Sequence, residues 1–194
     1  MQIIWNGENS IKIISENNII LLNPKKVEQC SLVIDPKDQK DFAKIKDIFT
    51  IVNYGEYEVK DDFVYKNFIE EDGEKKEIYR LDMEDINVLN LNNISKELVF
   101  KEDEEAIEGI IEGNFDILLI PIGEGFLSTK TAIDLKNSLS PKIVIPINYD
   151  PIKDEKALRE FKASFLNITE ADKFKIAKKN LPQEESVLYI LKAE

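Results

Sequence analysis

The chain has 194 residues, within the range of one domain and long enough to bury a core. Hydrophobic residues make up 43% and charged residues 33%, a composition that excludes a disordered chain. Thirty-eight acidic residues against 26 basic ones give a net charge of −12, which argues against nucleic acid and anionic membranes as partners. Histidine is absent, so no Ser-His-Asp or Cys-His nucleophile, imidazole base or histidine-ligated zinc can be built. The lone thiol, Cys30, excludes an internal disulfide and fits a reducing, cytoplasmic setting.

The first half reads mostly as β. Met1–Trp5 and Ile11–Ser15 are short apolar runs around the turn Asn6-Gly7-Glu8-Asn9. The opening lacks the basic segment of a secretion signal. Ile19–Leu22 and Ser31–Ile34 are further strands, stopped by Asn23-Pro24 and Asp35-Pro36. A residue before proline is pushed out of the helical region, so both dipeptides suit strand ends. Phe42, Ile45 and Phe49 recur at helical spacing and predict a helix over Asp41–Phe49. Strands follow at Thr50–Val52, Tyr57–Val59, Phe63–Phe68, Glu77–Leu81 and Asn87–Leu91, with Glu70–Lys76 as a charged hairpin tip.

The second half alternates. Lys101–Glu112 predicts an acidic helix with the stripe Ala106, Ile107, Ile110 and Ile111. Asp116–Pro121 and Lys142–Ile147 are buried strands, and the apolar runs here are far short of the ~20 residues that span a bilayer. Ser128-Thr129 caps a helix over Lys130–Leu139. Asp154–Asn167 is amphipathic through Leu158, Phe161 and Phe165, and Ser186–Leu191 closes the chain as a strand. Trp5, Phe161 and Phe165 read as core, and Cys30 as a small filler beside a strand.

In chain order, Ile3–Glu8 with Ile19–Pro24, Gly55–Val59, Val88–Ile94, and Asp116–Gly123 with Pro141–Tyr149 together resemble the metallo-β-lactamase fold, and within it the predicted zinc-dependent hydrolases of bacteria. The opening Ile3-Ile4-Trp5-Asn6-Gly7-Glu8 with Ile19-Ile20-Leu21-Leu22-Asn23-Pro24 is similar to the family's I-x-x-x-G-H start and I-L-I-D-P strand. Gly55-Glu56-Tyr57-Glu58-Val59 resembles G-E-Y-E-V, and Val88-Leu89-Asn90-Leu91-Asn92-Asn93-Ile94 stands where one branch has V-x-H-L-G-D-L. Asp116–Gly123 and Pro141–Tyr149 resemble D-I-L-L-I-P-V-G and P-K-I-V-I-P-M-H-Y. The resemblance implies an αββα four-layer sandwich, of the α/β (α+β) class, with residues 1–194 as one domain.

It also implies a metal centre held by a T-H-x-H-x-D-H loop, a later His, a bridging Asp and a last His. Residues Asp35 to Asp41 occupy the loop position without a histidine. Asn90 stands at the later His, Asn93 at the bridging Asp and Asn148 at the last His, while Glu8 and Asn23 replace further polar positions. Zinc takes nitrogen, thiolate or carboxylate ligands, and a neutral amide oxygen is a poor substitute. The expectation is therefore a metal-free relative with no catalytic residues, no zinc and no other cofactor, and with a binding, regulatory or structural role. Its partner is a protein or small molecule, and self-association into a homo-oligomer stays open.

The alternative is a hydrolase using Mg²⁺ or Mn²⁺ on Asp35, Asp38 and Asp41 together with Asn90, Asn93 and Asn148, an oxygen-only set. Against it, Asp35 and Asp38 suit caps of the helix starting at Asp41, with Lys37 and Lys40 in the same loop. Asn90, Asn92 and Asn93 equally suit turn residues. Glu56 and Glu58 share a strand face and read as solvated, and Gly123-Glu124-Gly125 reads as a plain connection rather than an anion cradle. Without histidine, stability measured by urea unfolding should stay flat between pH 6 and 7. A steep change in that window would reveal a buried carboxylate with a raised pKa.

Overall fold

The computed structural model describes residues 1–26, 28–36, 48–71, 73–95 and 114–193. The helix predicted over Lys101–Glu112 and most of that over Asp41–Phe49 lie outside them, as do Asp38 and Asp41. Phe49, placed by its spacing at the end of that helix, instead opens a strand.

The first sheet starts as a meander. β1 (Gln2–Trp5), β2 (Ile11–Ile14) and β3 (Ile19–Leu22) pair antiparallel in succession. β4 (Leu32–Ile34) and β5 (Phe49–Ile51) then join in parallel. Gly7 at φ +80 and Glu8 at φ +51 make the first turn, where the Ser10 N–H donates to the Gly7 carbonyl at 3.1 Å.

The second sheet begins with antiparallel β6 (Gly55–Val59), β7 (Asp62–Glu71), β8 (Glu74–Met83) and β9 (Ile86–Asn90). β10 (Ile117–Pro121) and β11 (Ile143–Ile147) continue it in parallel. Every residue of both is buried, which is why they read as unbroken apolar runs. β12 (Asn167–Ala171) and β14 (Val187–Leu191) complete it, while β13 (Phe174–Lys175) crosses back to pair with β1. The result is a six-stranded sheet ordered β13-β1-β2-β3-β4-β5 and an eight-stranded one ordered β12-β14-β11-β10-β9-β8-β7-β6.

Alternate residues of the first sheet, Ile3 and Trp5, Ile11 and Ile13, Ile20 and Leu22, share one continuous core with Val64, Ile78, Leu81 and Val88 of the second. Side chains on a strand alternate between faces, so this set places the two sheets face to face. Leu21 and Val33 point the other way and form a separate cluster, against which Ile48 and a half-buried Cys30 pack, so Cys30 lies outside the main core where a core filler was expected. Trp5, Phe161 and Phe165 are buried as expected.

α1 (Thr129–Leu139) starts as predicted, with Ser128 Oγ accepting from the Thr131 N–H at 3.1 Å. It buries Ala132 and Leu135 and packs on β10 and on α2 (Glu155–Lys162). α2 is shorter than the amphipathic spacing predicts. The chain leaves the helix at Ala163, and Asn167-Ile168-Thr169 pairs with β14 as a strand. Asn and β-branched residues favour that exit, and a vacant sheet edge rewards it. No helix among the described residues is long and apolar enough to cross a membrane.

Asp116, at the entry to β10, ties three segments together. Its carboxylate accepts from Lys142 Nζ and Lys178 Nζ, each at 2.8 Å, and from the Asn87 N–H at 3.1 Å. Burial pushes the carboxyl up, but the two ammonium groups and the amide outweigh it and hold it below its usual value. A depressed native pKa stabilises the fold above the unfolded value and withdraws that support as pH falls through the native one. Asp116→Asn should therefore lower stability at pH 7 and flatten the acid loss below about pH 4, read by urea unfolding across pH.

Candidate functional site

The site lies where chain segments leave the strand ends at one edge of the sandwich. The β1–β2 turn brings Asn9, Asn23 follows β3, Asp35 follows β4, Asn90 ends β9 with Asn92 and Asn93 just beyond it, and Asn148 follows β11. Several leave the sheet in the left-handed region: Glu8 at φ +51, Asn23 at +47, Asp35 at +49, Asn92 at +50 and Asn148 at +57. Asn and Asp tolerate this conformation better than other residues with a side chain, because their short polar groups bond locally.

Asn92 is the hub. Its Oδ1 accepts from Asn9 Nδ2 and from Asn23 Nδ2, each at 3.0 Å. Its backbone N–H donates to Asn90 Oδ1 at 2.8 Å, and its carbonyl accepts from Asn148 Nδ2 at 2.8 Å. Asn148 Nδ2 also donates to Asn93 Oδ1 at 3.0 Å. Asn90, Asn93 and Asn148 are thus brought together, through a residue whose sequence marks it only as a turn. Asn90 is fully buried, and its Nδ2 has no hydrogen-bond partner among the described residues.

A buried ion pair adjoins the amides. Lys66 has a side chain only 3% exposed, and its Nζ donates to Asp35 Oδ1 and, at 2.7 Å, to the Val52 carbonyl. Tyr79, the cross-strand partner of Lys66, places its hydroxyl 2.7 Å from Asp35 Oδ2 and 3.3 Å from Asn23 Oδ1. A hydroxyl has one proton, and the shorter contact to a carboxylate takes it. Burial first, and the Asp35 charge second, hold this phenol far above its usual range. Both oxygens of Asp35 are engaged, by Lys66 and Tyr79, across the sandwich, and the helix it was expected to cap lies outside the described residues. The described residues contain no group of three or more His, Cys, Asp or Glu that could hold a metal.

Glu56 and Glu58 are exposed on β6, as a solvated face requires. The Glu124 N–H is engaged by Asp154 Oδ1 at 2.8 Å, so the loop after β10 is a connection tied down by a carboxylate. Gly123 makes that possible. A Cβ there would stand 2.7 Å from Asp154 Oδ2 and 2.9 Å from the Asn148 carbonyl, on a backbone at φ +117.

A cleft of about 850 Å³ opens beside Asn148. Trp5 and Tyr149, stacked with centroids 4.9 Å apart, line it with Phe126 and Leu158. Burial pushes the Tyr149 hydroxyl up to about 12, and that hydroxyl donates to the Leu191 carbonyl at 3.3 Å.

Neither a family model nor a curated protein matches the sequence. Solved structures do match. A proposed zinc-dependent hydrolase of the metallo-β-lactamase superfamily from Thermotoga maritima superposes with a TM-score of 0.77, at 21% identity over 97% of both chains. The metallo-β-lactamase fold protein YhfI from Bacillus subtilis gives 0.65 at 8% identity, over 99% of this chain and 96% of its own. A proposed metal-dependent hydrolase from Parabacteroides distasonis gives 0.62 at 14% identity, over 84% and 88%. This chain has the metallo-β-lactamase fold. At these identities the likeness establishes the fold, and the activities in those names are those of the neighbours.

The network makes a direct prediction. Asn92→Ala strips the shared acceptor from Asn9 and Asn23 and puts a Cβ-only side chain at φ +50. Two buried donors left unpaired should cost on the order of 3 kcal/mol, read by urea unfolding. Asn92→Gly, free of backbone strain, should lose most of the same amount. A loss under about 0.5 kcal/mol, the scale of an ordinary surface change, would show that the amides hold little.

Proposed function

We propose that this chain is a metal-free relative of the metallo-β-lactamase-fold hydrolases, without their hydrolytic chemistry, and that it acts as a binding protein in a regulatory or structural role. The observation that carries this reading is the direction of the Asn148 amide. Both its hydrogens point at oxygens, Asn92 O and Asn93 Oδ1, so the position turns N–H groups inward where a cation would need lone pairs. Asn90 adds a buried N–H₂ of the same polarity.

The donor set does not fit zinc, which is held by nitrogen, thiolate or carboxylate ligands. Water off a metal keeps its pKa far above neutral, so the hydroxide that metal-dependent hydrolysis uses is not supplied. The Mg²⁺ or Mn²⁺ alternative needs the same positions to offer oxygen. Asp35 is the one carboxylate of that set within the described residues, and the Lys66 ammonium already neutralises it. A dication would have to displace a buried cation, and nothing in the geometry favours that.

The reading is tested on protein carrying no polyhistidine tag. It is offered Zn²⁺, Mn²⁺, Fe²⁺ and Mg²⁺, desalted and analysed for elements, and melted in parallel at millimolar metal. Substoichiometric metal and an unmoved melting temperature are expected, since a ligand of the native state must raise it. One or two equivalents of metal, a saturable rise, or phosphodiester or lactam hydrolysis that a chelator abolishes would overturn the proposal.

A further inference from the structure

The cleft beside Asn148 points to a ligand of defined chemistry. Asn148 is 6% exposed and lines the cleft. Its orientation is fixed, because a flipped amide would set its oxygen against the Asn92 carbonyl, which can only accept. With both hydrogens engaged, the open valence of this side chain is Oδ1, which accepts no hydrogen bond among the described residues. An amide oxygen left without a donor, on a residue that lines a cleft, recruits an N–H or O–H group.

Charge narrows the donor. Carboxylates of Glu8, Glu124, Asp150, Asp154 and Glu170 line the cleft, against the ammonium groups of Lys153, Lys162 and Lys192. Lys162 is held by Glu170 at 2.7 Å, and Lys192 by Asp172 at 3.0 Å. The Glu124 carboxylate, by contrast, has no partner among the described residues. In a chain of net charge −12 these groups are not offset from afar. The walls are apolar and aromatic, from Trp5, Tyr149, Phe126 and Leu158.

We propose that this cleft binds a small organic cation, a flat apolar body carrying an amidinium, guanidinium or ammonium group whose N–H donates to Asn148 Oδ1 while its charge meets the carboxylates of the rim. The inference rests on the binding role proposed above and gives that role a ligand class. The apolar walls take the flat body by burial of its surface rather than by stacking, since Trp5 is 2% and Tyr149 7% exposed.

Benzamidine, benzamide and benzoate share one ring and nearly one shape but differ in charge, so they separate the electrostatic requirement from the apolar one. Each is titrated into ¹⁵N-labelled full-length protein. Trp5 is the chain's single tryptophan, so its Nε1–H gives one NMR signal at the wall of the cleft, read together with the Asn148 side-chain amide. Benzamidine should move both signals saturably, with benzamide and benzoate weaker by about tenfold or more. Glu124→Gln changes a side chain with no partner to lose, so it should leave the fold intact and weaken benzamidine by about threefold, the scale of one exposed charge. Equal or tighter binding of benzoate overturns the proposal. So does benzamidine that moves only signals remote from Trp5, or no saturable shift at all. Any of these failures in a protein that still takes up no metal removes the ligand and leaves the binding role standing. Stoichiometric metal uptake removes the role beneath it.

Discussion

One carboxamide, that of Asn92, sets the arrangement of the whole loop edge. Its Oδ1 receives donors from the β1–β2 turn and from the end of β3, while its own main chain reaches Asn90 and Asn148 on the opposite sheet. Each contact is individually weak, worth about 0.5–1.5 kcal/mol net for a neutral hydrogen bond. Their value lies in mutual dependence, because in a buried amide network each removed partner strands another polar group away from water. The left-handed residues around it fit the same logic. Backbone strain is sustained where surrounding bonds over-determine the conformation, and here the main-chain N–H of Asn23 is held by Ile34 and that of Asn148 by Glu8.

The Lys66–Asp35 pair keeps an uncompensated charge away from those buried amides. Asp35 would be a bare charge facing the cluster, and Lys66 brings the opposite charge from within the second sheet. Burying an ion pair carries a desolvation cost, offset only where geometry is good and further hydrogen bonds are made. Both partners have such bonds, Lys66 to the Val52 carbonyl and Asp35 from the Tyr79 hydroxyl. Tyr79 also meets Asn23 and Asn92, so pair and amides form one connected system across the interface between sheets. Removing Lys66 would leave an uncompensated carboxylate and so disturb far more than a surface lysine would.

The sequence made much of this fold legible, for identifiable reasons. β10 and β11 are apolar on both faces, a pattern few alternatives share, and Ser128 is a cap whose chemistry is local. β12 was hidden because its residues are mostly exposed and show no alternation, with Asn167 taken as the end of the helix before it. Its strand character comes from β14, a neighbour far along the chain. At the edge, Asn90, Asn93 and Asn148 could be singled out only by likeness to other proteins, since an asparagine beside a strand reads locally as a turn. Lys66 and Tyr79 were missed altogether. A lysine inside the apolar alternation of β7, opposite a tyrosine on β8, is the one local sign that a charge was being buried.

The polarity of the loop edge follows from its neutrality. A dication at this place would dominate the local potential and draw oxyanions into the adjoining cleft, whatever the net charge of the chain. An amide cluster with an internally compensated ion pair contributes no net charge there. The cleft then answers to its own rim, where carboxylates outnumber lysines, and to the −12 of the whole protein. Field and hydrogen bonding point the same way, because Asn148 turns its hydrogens into the network and its oxygen is left for a donor. One amide orientation therefore links the two proposals: inward it disfavours a metal, and outward it favours a ligand that brings N–H groups and positive charge.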